Sequence, residues 1–143
     1  MNTLEIISRL KFCKSFKGVY PVDLIPKYFN SGTIIINTDP STKPGSHWVA
    51  VYINNDTGEY FDSFGFPPIN KEIISFLDNN STNGWSYNSL HIQNLLSHTC
   101  GNYCVLYVMA KNKGYSITDF LNLFTMNTDL NEIILKILYK GVN

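Results

Sequence analysis

One segment, CGNYCVLYVMAK at residues 100–111, constrains the fold more than any other because almost every position in it is apolar. A helix that is apolar all round has no face to turn toward water, so it must lie in the interior. The chain has 143 residues, enough to bury roughly 70% of the unfolded surface in one core. We therefore predict a single domain over residues 1–143 with a buried helix at its centre.

The spacing of apolar residues and the turn signals predict the remaining elements. The sequence NNDTG at 54–58 indicates a turn, so that the strands on either side of it pair antiparallel. Strands and helices mix without strict alternation, which is typical of an α+β fold. The predicted helices cover 3–16, 69–77, 117–124 and 128–140, and the predicted strands cover 33–38, 47–54, 59–62 and 85–93.

Charge and cysteine content argue against several classes of function. Eleven basic and eleven acidic residues cancel, so the chain has no strong electrostatic attraction for nucleic acid or an anionic membrane. We find neither an apolar run of ~18 residues that could span a bilayer nor a signal peptide. Three cysteines without framework spacing indicate free thiols in a reducing, intracellular compartment, not a secreted protein. Three scattered histidines give no ligand spacing with them, so we expect no metal and no other cofactor.

Cys100 is the first candidate nucleophile. A cysteine attacks a carbonyl as its thiolate, which a helix N-terminus or a neighbouring cation stabilises. Cys100 is predicted to lie where a polar loop enters the central helix, with its own N–H free to donate to an oxyanion. Gly101 permits close approach of a backbone, whereas Cys104 and Cys13 are expected to pack in the core. The alternative role for Cys100 is that of a small apolar residue at a helix start.

The best candidate base is His47, which opens a predicted strand. Asp62 ends the strand that pairs with it, so the start of one strand lies beside the end of the other. The two side chains should come within hydrogen-bonding reach, where a carboxylate orients the imidazole and stabilises its charged form. His98 is expected in solvent and His91 within a strand. The alternative role for Asp62 is to cap the following turn.

Gln93 and Trp48 complete the candidate site. Gln93 lies on the predicted strand that leads into the Cys100 loop, and its amide could donate to the same oxyanion as the Cys100 N–H. Trp48 follows the candidate base and could cover its ring, and we expect it to bind substrate together with Gly101. An exposed strand-end glutamine and a buried aromatic side chain are the ordinary alternatives.

Together these residues resemble a known family, the adenovirus-type (adenain-like) cysteine proteases, which are related to the SUMO-specific proteases. The resemblance lies in HWVAVYINNDTGEYFDSFGF (47–66) and QNLLSHTCGNYC (93–104), and it extends weakly to GVYPVDLIP (18–26) and IIINT (34–38). It implies a papain-like, adenain-like α+β fold. In such a fold a central mixed sheet packs on a buried helix that begins at the nucleophile, and further helices follow at the C-terminus.

The resemblance also implies a role for each candidate residue. His47 is the general base, Asp62 the third member of the triad, Gln93 the oxyanion donor and Cys100 the nucleophile. The long gap between Gln93 and Cys100 is similar to the adenovirus type, whereas Asp62 replaces the adenoviral glutamate and resembles proteases of Polinton/Maverick elements and virophages. The abundance of Asn, Ile, Lys and Tyr indicates an A/T-rich genome of that kind.

The function implied by the resemblance is that of a cysteine endopeptidase. Its substrates would be precursor polypeptides, viral capsid proteins above all, cut after glycine or another small residue in the virion, the host cytoplasm or a viral factory. Adenoviral protease is activated by a disulfide-linked peptide and by DNA. Residues 78–92 contain no cysteine and the chain has no net charge, so we expect that neither activator is needed. We also expect the protein to be a monomer. A deconjugase of ubiquitin-like modifiers and a catalytically inactive binding module are the open alternatives.

Overall fold

The computed structural model describes residues 1–141, and it shows a mixed five-stranded sheet with helices packed against both faces. The predicted α+β class is confirmed. In chain order the elements are α1 (Thr3–Leu10), β1 (Phe16–Pro21), a short 3₁₀ helix (Val22–Leu24), β2 (Gly32–Asn37), β3 (Trp48–Asn54), β4 (Thr57–Phe61), α2 (Lys71–Asn80), β5 (Trp85–Tyr87), α3 (Cys100–Asn112), α4 (Ile117–Leu121) and α5 (Thr128–Lys140).

The strands lie side by side in chain order, β1-β2-β3-β4-β5. The two outer pairs are parallel and the two inner pairs antiparallel. A tight turn joins β3 to β4, and its central residues Asn55 and Asp56 both have positive φ, the conformation that two-residue hairpins require. Ala50 pairs with Phe61, so the residue before β3 and the residue after β4 emerge at the same end of the sheet. This hairpin is the antiparallel pair that the NNDTG turn predicts.

Helix α3 is the centre of the larger core, as its composition predicts. It begins at Cys100, and most of its side chains are buried between one face of the sheet and the helices α1, α4 and α5. The rings of Phe61 on β4 and Tyr107 on α3 stack with centroids 4.7 Å apart, and Phe120 meets both edge-on. Burial of each such ring stabilises the fold by about 1.5–3 kcal/mol, which fixes α3 against the hairpin.

The opposite face of the sheet packs on α2. Alternate residues of β2 and β3, such as Ile34, Ile36 and Val51, point to this side and share one core with Ile73 and Leu77 of the helix. Because successive strand residues face opposite ways, one run of β-branched residues fills two separate cores. The sheet is thereby held rigid on both sides.

Two sequence predictions were wrong. The first helix, α1, ends at Leu10 instead of residue 16. Phe16–Pro21 forms β1, a strand paired in parallel with β2. Pairing with a buried neighbouring strand outweighs the helical spacing of the apolar residues, because sheet formation depends on tertiary contacts. The strand predicted over 85–93 ends at Tyr87, and the rest of that segment is irregular.

Candidate active site

The hairpin brings His47 and Asp62 together. His47 precedes β3 and Asp62 follows β4, and the imidazole Nε2 lies 2.9 Å from Asp62 Oδ1. The same carboxylate oxygen accepts the backbone N–H of Phe64 at 2.9 Å, so its position is held from two directions. With Nε2 occupied by the carboxylate, Nδ1 is the imidazole nitrogen that is left for a second partner.

That second partner is Cys100, the first residue of α3. The His47 side chain and the backbone N–H groups of Trp48 and Gly101 lie next to the Cys100 sulfur, where each lowers the pKa of the thiol. The helix therefore presents the thiol at its positive end, where a negative charge is favoured. The structure therefore places Cys100 beside His47, which is hydrogen-bonded to Asp62.

The ionisation of this pair departs from that of the free side chains. Burial opposes the charge on Cys100, but the hydrogen bond from His47 and the two backbone N–H groups outweigh it and lower the pKa of the thiol. Burial also opposes the charge on His47, yet its hydrogen bonds to Asp62 and Cys100 raise the pKa of the imidazole to about 9. Both shifts favour a thiolate beside an imidazolium at neutral pH.

Asn88 holds Asp62 in place through the backbone. The Asn88 carboxamide accepts the Asp62 N–H at 2.9 Å and donates to the Asp62 carbonyl at 2.6 Å. This buried side chain continues the pairing of β4 and β5 for one residue beyond Tyr87. The strand predicted over 85–93 stops here because a side chain, not a backbone, forms the next pair.

Gln93 is only 1% exposed and lies in an irregular segment, not on a strand. Its Oε1 accepts the Ser63 hydroxyl at 2.5 Å, and the Ser63 carbonyl accepts the Gln93 N–H at 3.0 Å. Its Nε2 donates to the carbonyl and the hydroxyl of Ser97, each at 3.1 Å. Since Ser63 holds the oxygen of the Gln93 amide, the amide nitrogen is directed toward Ser97. Gln93 lines the same cleft as Cys100.

A half-buried carboxylate of α5, that of Glu132, supports the loop between Gln93 and Cys100. Glu132 accepts hydrogen bonds from the Thr99 hydroxyl at 2.7 Å and from the Tyr103 hydroxyl at 2.5 Å. The Thr99 hydroxyl lies 2.9 Å from that of Ser97, which contacts the Gln93 amide. A continuous set of hydrogen bonds therefore runs from α5 to the candidate oxyanion donor.

Trp48 and Gly101 pack beside the nucleophile. The Trp48 indole N–H donates to the Met1 carbonyl at 3.1 Å. A Cβ added at Gly101 would lie 3.1 Å from Met1 Cβ and 3.2 Å from Trp48 Cδ1. Trp48 lines the cleft, whereas Gly101 lies against Trp48 and Met1. The small size of Gly101 thus lets Met1 and Trp48 pack close to the helix start. The ring that stacks on His47 is that of Phe64, not of Trp48, with centroids 5.1 Å apart.

The cleft that contains the thiol has a volume of about 670 Å³. Residues 39–46 form one side of it. Asp23 holds this loop, because its carboxylate accepts the backbone N–H of Ser41 at 2.7 Å and the Ser41 hydroxyl at 2.6 Å. These hydrogen bonds tie the loop on this side of the cleft to the 3₁₀ helix that contains Asp23.

The other cysteines and histidines take different positions. Cys104 is fully buried, and burial raises the pKa of its thiol; burial also raises the pKa of the Cys13 thiol. His98 lies on the cleft wall. His91 packs edge-on against Phe64 at 5.7 Å, and within residues 1–141 its buried Nε2 has no hydrogen-bond partner.

Several functional residues were missed by the sequence analysis. Ser63, Phe64, Asn88 and Ser97 each hydrogen-bond to Asp62 or Gln93, and Glu132 supports the loop before Cys100 through Thr99. The first two stand directly after Asp62 in DSFGF, the run that carries the resemblance. Ser97 stands in QNLLSHTC, the second run that carries the resemblance. Asn88 and Glu132 had no such signal, because their contacts join segments distant in sequence.

In the part of the chain that the structure describes, no three His, Cys, Asp or Glu side chains cluster closely enough to hold a metal ion. Within the same residues, no helix combines the length and the apolar character needed to cross a membrane.

Comparison with known proteins supports the fold. No family model matches the sequence, and a search of curated proteins gives no match. Among solved structures, the ASFV pS273R protease superposes with a TM-score of 0.56 at 24% identity, over 77% of this chain and 42% of that one. Its Se-Met form superposes with a TM-score of 0.53 at 24% identity, over 72% and 43%.

A third structure, the C-terminal Ulp1 protease domain in complex with Smt3, the yeast ortholog of SUMO, aligns over 97% of this chain and 78% of that one. Its TM-score is 0.47 at 12% identity. This chain spans less than half the length of the pS273R structures. The comparisons therefore identify the architecture: the chain shares its fold with the ASFV pS273R protease.

Proposed function

We propose that the protein is a cysteine endopeptidase in which Cys100 is the nucleophile, His47 the general acid and base, Asp62 the residue that orients His47, and Gln93 an oxyanion donor. The observation that carries this proposal is the position of Cys100 beside a His47 that is hydrogen-bonded to Asp62, at an open cleft. A thiol with a lowered pKa next to an imidazole with a raised pKa is the arrangement that activates a cysteine.

In the first half of the reaction, the Cys100 thiolate attacks the carbonyl carbon of the scissile amide. A C–S bond forms and the carbonyl π electrons move to the oxygen, which becomes an oxyanion. The Cys100 N–H lies in the first turn of α3, where such groups have no partner within the helix, and it donates to that oxyanion. As the C–N bond breaks, the leaving amine takes the proton of His47, and a thioester remains.

In the second half, neutral His47 removes a proton from a water molecule, whose oxygen attacks the thioester carbon. The C–S bond breaks, the carboxylic acid product leaves, and Cys100 returns as a thiolate beside protonated His47. The Asp62 carboxylate accepts a hydrogen bond from His47 and stabilises the imidazolium at the start and end of each cycle.

Gln93 becomes the second oxyanion donor by exchanging a partner. Its Nε2 carries two hydrogens and now donates to the carbonyl and the hydroxyl of Ser97. The Ser97 hydroxyl has alternative partners in the Asn94 carbonyl and the Thr99 hydroxyl, each at 2.9 Å. The Gln93 amide can therefore turn one N–H to the oxyanion at little cost.

We propose further that the substrates are precursor polypeptides, capsid proteins in virion maturation above all, cut after glycine or another small residue. Two observations support this: the resemblance of residues 47–66 and 93–104 to adenain-like proteases of viruses and mobile elements, and the fold shared with a protease of a virus, ASFV pS273R. The free thiols Cys13, Cys100 and Cys104 fit action inside a host cell or virion, where thiols stay reduced.

The proposal includes a single domain that acts as a monomer without an activator. The absence of cysteine from residues 78–92 and the net charge of zero support the part of the proposal that concerns the activator. An assay of the purified chain with and without added DNA tests it, since a strong dependence on DNA or on a peptide would contradict this part of the proposal alone.

The central experiment compares the wild type with Cys100→Ala and Cys104→Ala. Each is incubated with a capsid-precursor polypeptide that has glycine-rich junctions and with a thiol-reactive peptide electrophile. We expect loss of cleavage and of labelling only in Cys100→Ala. The matched variant Cys104→Ala, one helical turn away, should keep both, because its thiol lies in the core.

The other outcomes are equally informative. Cleavage only of a ubiquitin-like fusion would make the protein a deconjugase on the same fold. Neither cleavage nor labelling of the wild type would overturn the proposal in favour of a binding module. Labelling that persists in Cys100→Ala would show that another cysteine is the nucleophile.

A further inference from the structure

A second cavity adjoins the catalytic pair. It has a volume of about 470 Å³, and its wall includes both His47 and Asp62. The cleft that contains Cys100 is lined by His47 and Phe64, and the second cavity is lined by the same two side chains. The stacked rings of His47 and Phe64 therefore form a partition with one cavity on either side.

The wall of the second cavity is mainly apolar. Beyond the shared partition its apolar part is formed by Tyr60, Phe66, Pro67 and Ile69, and the polar residues Thr38, Asp62 and Asn70 complete it. Phe66 is 59% exposed and Ile69 is 86% exposed, so two large apolar side chains at this cavity are in contact with solvent. A concave, mostly apolar site with a few polar groups is the usual form of a pocket for an apolar ligand.

The direction of the proposed reaction relates the cavity to the substrate. His47 delivers its proton to the leaving amine, so the polypeptide that follows the scissile bond must pass His47. Cys100 lines the cleft, but it is not among the described residues that form the second cavity. The second cavity accordingly lies on the far side of the imidazole from the Cys100 thiol. The leaving group takes this side of His47.

We propose that this cavity binds an apolar side chain, aliphatic or aromatic, of one of the first three substrate residues after the scissile bond. The inference rests on the proposed endopeptidase function and adds a specificity site on its leaving-group side. Its volume accommodates a leucine or phenylalanine side chain. Burial of such a side chain against Ile69 and Phe66 would remove apolar surface from water on both molecules.

The experiment determines which residues follow the cut. A mixed peptide library is digested with the wild type, and the new N-termini are sequenced. We expect Leu, Ile, Met or Phe to be enriched about 5- to 20-fold over Asp or Lys at one of the first three positions. Ile69→Asp should reduce that enrichment to about two-fold or less by raising KM, with kcat changed by less than about two-fold, because Ile69 touches no reacting atom.

The matched control is Ile137→Asp. Ile137 is also an exposed isoleucine, 66% accessible, but it lies on α5 and does not line either cavity. It should keep the wild-type enrichment, KM and kcat.

A second measurement does not require turnover. Cys100→Ala carrying labelled isoleucine methyl groups is titrated with two short capped peptides that differ only in Leu or Asp at one position. We expect the Leu peptide to move the methyl signal of Ile69 and leave that of Ile137 in place, and the Asp peptide to move neither. A signal shift at both isoleucines, or at neither, would contradict the pocket.

The two proposals fail in distinguishable ways. Cleavage with no preference after the cut, or with a preference that Ile69→Asp leaves intact, overturns the pocket while the endopeptidase function stands. If the wild type neither cleaves nor labels at Cys100, the endopeptidase function fails, and with it the role of the cavity as a substrate subsite.

Discussion

The two halves of the candidate site are built in different ways. His47 and Asp62 flank a β-hairpin, so backbone pairing between β3 and β4 brings them together. Gln93 and the loop that leads to Cys100 have no such ladder, and they are held by side chains: Ser63 on one side and, through Thr99, Glu132 on the other. The sheet therefore sets the positions of the first two residues, and a polar network sets those of Gln93 and the Cys100 loop.

This difference predicts how each half responds to substitution. A hairpin loses little of its stability when a single side chain changes, because its backbone pairing remains. A variant of His47 or Asp62 should therefore change mainly the chemistry of that residue. A polar network is sensitive to each member, because a buried group that loses its partner pays its full desolvation cost. The following four variants test this contrast, from the largest expected effect to the smallest.

The largest effect is expected from Asp62→Asn. The amide keeps the shape of the carboxylate, but its N–H₂ would donate to His47 Nε2 and favour the wrong tautomer. We expect kcat to fall roughly 10³- to 10⁴-fold, with the free energy of unfolding almost unchanged. Asp78→Asn is the matched control, since the Asp78 carboxylate accepts only from the Trp85 indole in the described contacts. A loss of less than about 10-fold in Asp62→Asn would remove Asp62 from the proposed triad.

Gln93→Ala tests the second half. Loss of one oxyanion donor should reduce kcat about 10²- to 10³-fold. Since the Cys100–His47 pair is not touched, the rate at which iodoacetamide alkylates Cys100 should stay within about two-fold of the wild type. If alkylation falls together with cleavage, Gln93 acts on the state of the thiol and not on the oxyanion.

The pH dependence of alkylation tests the charged pair. The lowered pKa of Cys100 means that the thiolate forms below the ordinary value of 9.0, and the raised pKa of His47 means that the imidazolium persists until about pH 9. Alkylation should therefore be fast at neutral pH, and cleavage should decline as the pH rises through about 9, where the proton for the leaving amine is lost.

In His47→Ala the alkylation profile should move up toward that of an ordinary thiol. The rate at pH 7 then falls about 10- to 100-fold. Cys104 is the internal control, because its burial raises its pKa and the folded protein should protect it from the reagent. An unchanged profile in His47→Ala would show that the pair does not exist in solution.

The smallest effect on activity is expected from Ser63→Ala. The variant leaves the buried Gln93 Oε1 without its donor, so we expect a loss of about 1–3 kcal/mol in the free energy of unfolding and a decrease of about 10-fold in kcat/KM as the amide loses its orientation. Chemical denaturation and steady-state kinetics measure the two. Ser86→Ala, at an exposed position of β5, should change neither, and an equally active Ser63→Ala would show that Ser97 alone orients Gln93.

Sequence reasoning succeeded where structure is local. The NNDTG turn and the alternation on either side of it predict the β3–β4 hairpin, and from it the approach of His47 to Asp62. The continuous apolar run predicts the buried helix and its start at Cys100. Both depend on residues that are near one another in the chain, so their signals lie within short windows.

It failed where distant segments decide the outcome. The helical spacing of apolar residues extends to Phe16, yet β2 is available as a partner and Phe16 begins a strand. Residues 88–93 alternate like a strand, yet Asn88 pairs with Asp62 through its side chain and ends the ladder. In each case a contact between segments far apart in sequence outweighed the local preference.

The sequence by itself determined the α+β class, the central helix and the candidate residues His47, Asp62, Gln93 and Cys100. Only the tertiary structure decided how these residues are held: by Ser63, Asn88 and Glu132, and beside a second cavity that shares the His47 and Phe64 partition. The physical reason is that periodicity records which side of an element is buried, whereas a hydrogen bond between buried side chains depends on their positions in space.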